Sequence, residues 1–298
     1  MENKKSMTNE EMEAFLERSR KKENAAKVVI YIGGAGMCLT IMLGMIPIAL
    51  LCILVALIGA VICAKYSAEI KEALSDHIIS GVLTETLGDQ VQYNPTGRVT
   101  PGHMVFPFPY TKTVGSDHIR AVYKGLNIEL SDIELINEEI DMDAEGNTET
   151  SKATFFKGQW LICDFGKELS GEVYLSERSK KDRSIMKSDV TMENKAFAKR
   201  FCVKAEIPQE AYYILTPHVM EYITRMADRS GGTVYMSFLR DGRMHVAVKT
   251  RRDLFELGRS GADVEGLRRK FCDELKWFTD IVDTLRVEDT LYKKETNA

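Results

Sequence analysis

Residues 28–64 read VVIYIGGAGMCLTIMLGMIPIALLCILVALIGAVICA, thirty-seven positions without a charge, closed on either side by Lys27 and Lys65. A single helix of that length would be about 55 Å long, against a hydrocarbon layer of about 30 Å. Two short helices joined by a tight turn fit that layer better. The break falls around Gly44 to Pro47, because proline lacks the N–H of a continuing helix and disfavours helix in the residue before it. The expected helices are residues 28–45 and 47–64. Small residues recur every four positions, at Gly36, Thr40 and Gly44 and at Cys52, Ala56, Ala60 and Ala64. Such stripes let two backbones approach in lipid.

The flanks give the orientation. Arg18, Arg20, Lys21, Lys22 and Lys27 precede the run, Lys65 and Lys71 follow it, and the turn between the helices has no basic residue. The positive-inside rule then places both ends in the cytoplasm of a cell whose inner membrane is crossed twice. A secretory signal does not fit, since the run is too long and the segment before it is acidic as well as basic. Thr8 with Glu11 forms a capping-box pattern, so a short helix is expected to begin there.

The chain thus divides into an N-terminal segment (1–27), a transmembrane helical hairpin (28–64) whose partner is the lipid bilayer, and a cytoplasmic domain (65–298). The whole chain carries 40 basic and 44 acidic residues. That balance gives no basic face for nucleic acid. Cys38, Cys52 and Cys63 lie in the apolar run, and Cys163, Cys202 and Cys272 are scattered in apolar company, the pattern of free thiols in a reducing compartment.

Beyond the hairpin, residues 67–87 continue as a helix with Ile70, Leu74, Ile78, Val82 and Leu83 on one face and Gly88 as its stop. A stretch with Pro95, Pro101, Pro107 and Pro109 reads as loop, with Phe106, Phe108 and Tyr110 covering a sheet. From Ile119 the period becomes two. Strands over 126–140, 154–165 and 172–175 form an antiparallel meander, with residues 166–171 as a hairpin connection. Helices follow at Pro208 and at Thr216-Pro217, the latter with a capping threonine. A hairpin turning at Asp241-Gly242 joins strands 233–239 and 243–249. An amphipathic helix over 262–285 packs on the sheet. Strands followed by helices give an α+β fold, a two-helix transmembrane hairpin and then antiparallel strands packed with helices.

Few residues invite chemistry. Asp141, Asp143, Glu145 and Gly146 resemble the start of a calcium loop, but Lys152 stands where its bidentate glutamate belongs, so a solvated turn is the better reading. His77, His103, His118, His218 and His245 have no metal-ligand spacing. Cys163 lies in an apolar strand with nothing local to activate it, and Trp160 reads as core. No cofactor is implied. Arg178, Lys180, Lys181 and Arg183 form a basic loop that could face anionic lipid headgroups.

Phe155-Phe-Lys-Gly-Gln-Trp160, Glu193-Asn-Lys-Ala-Phe-Ala-Lys-Arg-Phe-Cys-Val203, Ala211-Tyr-Tyr-Ile-Leu-Thr-Pro217 and Ser237-Phe238 together resemble the bacterial membrane proteins grouped as domain of unknown function 3137. The likeness covers residues 67–285 and the preceding helices. It implies architecture and location, brings no catalytic residue, and suggests a LemA-type membrane protein as a partner. The expectation is a membrane-anchored, non-enzymatic interaction or assembly domain. An enzyme or small-ligand sensor built from distant residues, and a domain reading anionic lipid, stand as alternatives.

Overall fold

The computed structural model describes residues 8–104, 106, 109–142, 148–164, 168–178, 187–256 and 263–292. They fall into two units. One holds Met1–Val82 with Leu257–Phe271, the other Leu83–Glu256 with Cys272–Ala298.

The first unit is built on helices α1 (Asn9–Met42) and α2 (Ile46–Leu74). Thr8 caps α1 with both halves of a capping box, accepting from the Glu11 N–H while the Glu11 carboxylate accepts from the Thr8 N–H. The helix that begins there is not short. It runs unbroken from the charged segment into the apolar one, because nothing between Asn9 and Met42 interrupts it. The chain reverses at Leu43, Gly44 and Met45, where Gly44 has φ +72°, open to glycine without strain. Pro47 then sits in the first turn of α2, where its missing N–H costs nothing.

The seam between the two helices follows the four-residue stripe only in part, at Gly36, Thr40, Cys52 and Ala56. A continuous line of covered positions runs along α1 through Met12, Leu16, Ser19, Glu23, Ala26, Ile30, Gly33, Met37 and Thr40, with Gly36 beside it, and along α2 through Ala49, Cys52, Ala56, Gly59, Cys63, Tyr66 and Ile70. Their spacings alternate between three and four, the repeat of supercoiled helices. A strict spacing of four drifts about 40° around a helix at each step, so it leaves a long seam. Ala60 and Ala64 are accordingly exposed, Gly59 takes the seam in their place, and Gly44 lies in the turn. The fit is tight at Gly33, where an added Cβ would stand 3.0 Å from both the Ala56 Cβ and the Cys52 carbonyl oxygen.

Below the apolar part the pair stays together through polar contacts. Glu23 accepts from Ser67 Oγ of α2 at 2.9 Å, and Lys22 lies over the Tyr66 ring of α2, while Lys27, on the same helix as Glu23, pairs with it at 2.7 Å. Burial would raise the Glu23 carboxyl, but these partners hold it below the ordinary range. After α2 one π turn (Ser75–Ile79) leads to α3 (Ser80–Leu87), which stops before Gly88. Ile70, Leu74, Ile78, Val82 and Leu83 are all buried, as their spacing predicts. Helix α7 (Val264–Tyr292) starts in this unit, the Val264 N–H donating to Glu13 at 3.1 Å.

The second unit is an eight-stranded antiparallel sheet with helices. Its strands are β1 (Val91–Asn94), β2 (Lys112–Tyr123), β3 (Leu126–Met142), β4 (Thr148–Asp164), β5 (Val173–Glu177), β6 (Phe201–Ala205), β7 (Thr233–Phe238) and β8 (Arg243–Lys249), in the order β1-β2-β3-β4-β8-β7-β5-β6. The expected meander holds from β2 to β4, with β1 added at its edge, but β5 does not fold back on β4. The β7–β8 hairpin occupies the place beside β4, pairing Gln159–Asp164 with Val248–Arg243, and β5 lies beyond it against β7. The expected hairpin connection at 166–171 is therefore a crossover. Strand β6 has no counterpart among the elements expected from sequence. Asn194 caps α4 (Lys195–Arg200), and the chain turns directly from it into β6. Helices α5 (Pro208–Ile214) and α6 (Pro217–Arg229) start at their prolines, and the Thr216 hydroxyl caps α6.

Register alignment gives the sheet two faces. On one, Tyr93, Ile119, Leu130, Leu161, Val246, Met236, Leu175 and Val203 form a row across all eight strands. Tyr123 shares this face and donates to Asp283 of α7 at 3.2 Å, which brings that helix onto it. The other face carries Phe156, Trp160, Ile162, Tyr235 and Ala247, covered by Val99, Met104 and Phe106 of the proline-bearing loop. Phe106 stands 4.8 Å from the Tyr235 ring and 5.2 Å from that of Phe155, so it covers the sheet as its sequence position suggests.

Candidate functional site

Among the described residues, three places in the sheet unit stand out, the first two set by strand register and the third by the packing of two helices. The first lies under the proline-bearing loop. His245, Ser237 and Tyr174 are register partners on β8, β7 and β5, so their side chains share one face. His245 Nδ1 accepts the indole N–H of Trp160 at 3.1 Å and the backbone N–H of Gly102 at 3.2 Å. Gly102 is required there, since a Cβ would stand 2.4 Å from the imidazole ring. His103, the next residue, packs edge-on against Tyr174. The covering loop thus brings His103 and His245, 142 positions apart in sequence, to one face.

Two donors on Nδ1 fix the proton of neutral His245 on Nε2. Burial, aided by the charge of Arg243, lowers this histidine to about 4. Nε2 and the Ser237 hydroxyl are both buried without a protein partner among the described residues. A serine beside a histidine suggests nucleophilic catalysis, but an imidazole already protonated at Nε2 cannot take the serine proton there. The arrangement is a hub that ties loop to sheet.

The second place is on the opposite face of the sheet. Asp132, buried on β3, accepts from Gln159 Nε2 at 2.9 Å and from the Leu254 N–H at 2.7 Å. Gln159 also donates to the Arg252 carbonyl and accepts from Thr250. Desolvation raises Asp132 to about 8 against these bonds, with the nearby Asp117 and Asp253 adding to the rise. Asp117 is buried too and accepts from the Tyr93 hydroxyl, whose own titration burial and Asp117 push upward. These groups hold the segment after β8 against the sheet.

The third place is open to solvent. Helices α6 and α7 flank a groove of about 260 Å³ lined by Tyr222, Arg225, Met226, Arg229, Trp277, Asp280, Ile281 and Thr284. The α6 residues recur at three and four positions, as do those of α7, so two helix edges face each other across it. Tyr222 donates to the Asp280 carbonyl at 3.1 Å, and Thr284 donates to the same oxygen at 3.0 Å. Burial raises the Tyr222 phenol to about 12. With those hydroxyls engaged inward, the groove offers an apolar floor, a half-buried indole and two guanidinium groups.

Of the basic loop, Arg178 sits at the end of β5 and donates to the Ala198 carbonyl at 3.1 Å and to Ser188 Oγ at 2.7 Å. Lys180, Lys181 and Arg183 lie outside the described residues, as does most of the calcium-like loop, between β3 and β4. Cys163 is buried, and burial beside Asp164 pushes its thiol up to about 12, the opposite of activation. His118 bonds Glu129 at 2.9 Å. Among the described residues no three potential ligands cluster as a metal site. The groove was missed in sequence. Its signal was Arg225 and Arg229 beside the buried stripe of α6, but the α7 wall could be matched to it only in space.

No curated protein and no solved structure matches the chain. The family whose model matches is the one described as protein of unknown function (DUF3137), and the match spans residues 154–287, from β4 to α7.

Proposed function

We propose that residues 28–64 are a two-span membrane anchor with both ends on the cytoplasmic side, and that the sheet unit docks a partner protein at that membrane face. The observation that carries this is the outer surface of the hairpin. Within residues 28–64 most of its seam is small (Gly33, Thr40, Ala49, Cys52, Ala56, Gly59 and Cys63), and large apolar side chains point away from it: Tyr31 is 75% exposed, Ile32 65%, Leu57 59% and Val61 70%. Water would penalise each by about 1.5–3 kcal/mol relative to burial, whereas lipid would not. The basic flanks favour the stated orientation. A docking role is supported by the chemistry of the buried polar groups, which serve to hold segments of the fold together. The family resemblance makes a LemA-type membrane protein the first partner to test.

Two measurements test the reading. Gly44→Cys, in the turn, should react with a membrane-impermeant maleimide in intact bacterial cells, and Ser67→Cys only after lysis. The reverse pattern, or equal labelling, would overturn the anchor. Isolation in mild detergent should recover a stoichiometric partner. Recovery of the chain alone at several expression levels would overturn the docking role.

A further inference from the structure

We propose that the α6–α7 groove is the docking site itself, and that it takes a partner segment in which a carboxylate side chain neighbours a large apolar one. This rests on the protein-docking reading above. The apolar side chain would lie on Met226, Ile281 and the Trp277 ring, and the carboxylate between Arg225 and Arg229.

Several observations converge on that chemistry. The hydroxyls of Tyr222 and Thr284 already donate to the Asp280 carbonyl, so the groove is poorly suited to a polyhydroxylated ligand. Arg225 and Arg229 stand four residues apart on α6, one helical turn, where two guanidinium forks can share one acid. The Arg225–Glu221 pair spans 4.0 Å between exposed side chains, so a ligand carboxylate displaces it at little cost. A volume of about 260 Å³ suits one or two side chains and falls below the range of roughly 300–1,000 Å³ typical of small-molecule sites. Tryptophan, tyrosine and arginine, which dominate the energetics of protein interfaces, supply half of the eight lining residues.

Charge separates the occupants. A second copy would bring the same two arginines against themselves. Asp280 on the opposite wall opposes an extended anionic surface such as a headgroup layer, but it suits a segment with one acid at one end.

The test uses the full chain in its native membrane with the photocrosslinker p-benzoylphenylalanine at Thr284, and separately at Tyr212, which is exposed on α5 outside the groove. The expected result is a protein adduct at 284 whose crosslinked segment, mapped by mass spectrometry, holds an acid beside a large apolar residue. Arg225→Glu with Arg229→Glu should lower the yield about tenfold or more, while the double lysine variant, which keeps the charge and the helix, should retain most of it. A segment without an acid, indifference to charge reversal, or an adduct to phospholipid or to a second copy would overturn the proposal. A protein adduct at 212 with none at 284 would overturn the groove and leave protein docking standing. No protein adduct at either position would overturn both.

Discussion

The indole N–H of Trp160 on β4 donates to Nδ1 of His245 on β8, at 3.1 Å, between two side chains that are wholly buried. The same nitrogen accepts the Gly102 N–H, so one atom joins two strands and the loop that covers them.

Replacing His245 by phenylalanine should therefore cost more than its volume suggests. The buried Trp160 N–H loses its acceptor, at about 1–3 kcal/mol, and the half-buried Gly102 N–H loses its own at less. Thermal unfolding in detergent micelles should show the loss, and an unchanged midpoint would refute the hub.

The same residue gives a pH dependence with a defined sign. Burial holds folded His245 at about 4, below its unfolded value of 6.5. The stability it contributes is present above 6.5 and is lost as pH falls toward 4, by at most about 3 kcal/mol at 1.36 kcal/mol per pH unit. Wild type should lose stability over that window more steeply than His245→Phe. Equal slopes would count against a buried neutral imidazole.

Asp132 acts in the opposite direction. Its folded carboxyl titrates at about 8, above the unfolded 3.8, so its contribution is full below 3.8 and is lost as pH rises through 8. Asp132→Asn should flatten the decline between pH 4 and 8 while weakening the hold on the Leu254 N–H. Hydrogen exchange at Leu254 reads the second effect, and an amide as protected as in wild type would argue against the latch.

Gly36 offers a direct test of the hairpin. A Cβ there would lie 3.1 Å from Cys52 Sγ, close to the separation across a disulfide. Gly36→Cys in membranes should form an intramolecular bond with Cys52 under mild oxidation, making two thiols unavailable to alkylation. An unbroken span would leave them free.

Phe106 anchors the covering loop. Truncation to alanine should cost about 2–3 kcal/mol for a partly buried ring, less than the 3–5 of a fully buried one. Faster hydrogen exchange is expected at Val99, whose N–H donates to Ser131, and at Gly102. Exchange unaltered at both amides would show that the loop is held elsewhere.

The sequence by itself determined what local chemistry and periodicity decide. The uncharged run, Pro47, the Thr8 cap, the prolines opening α5 and α6 and the β7–β8 turn are all legible one segment at a time, because each is settled within a few residues. Only the tertiary structure decided what depends on distant partners. Spacing alone could not choose between a four-residue stripe and a supercoiled seam, since the partner helix selects Gly59 over Ala60. Nor could it tell that β8 takes the place beside β4, because any apolar strand satisfies the same alternation. His245, the Asp132 latch and the α6–α7 groove exist only once register and helix packing bring together residues separated by up to about a hundred and forty positions. Strand pairing and side-chain convergence are long-range choices, and a linear pattern constrains them only weakly.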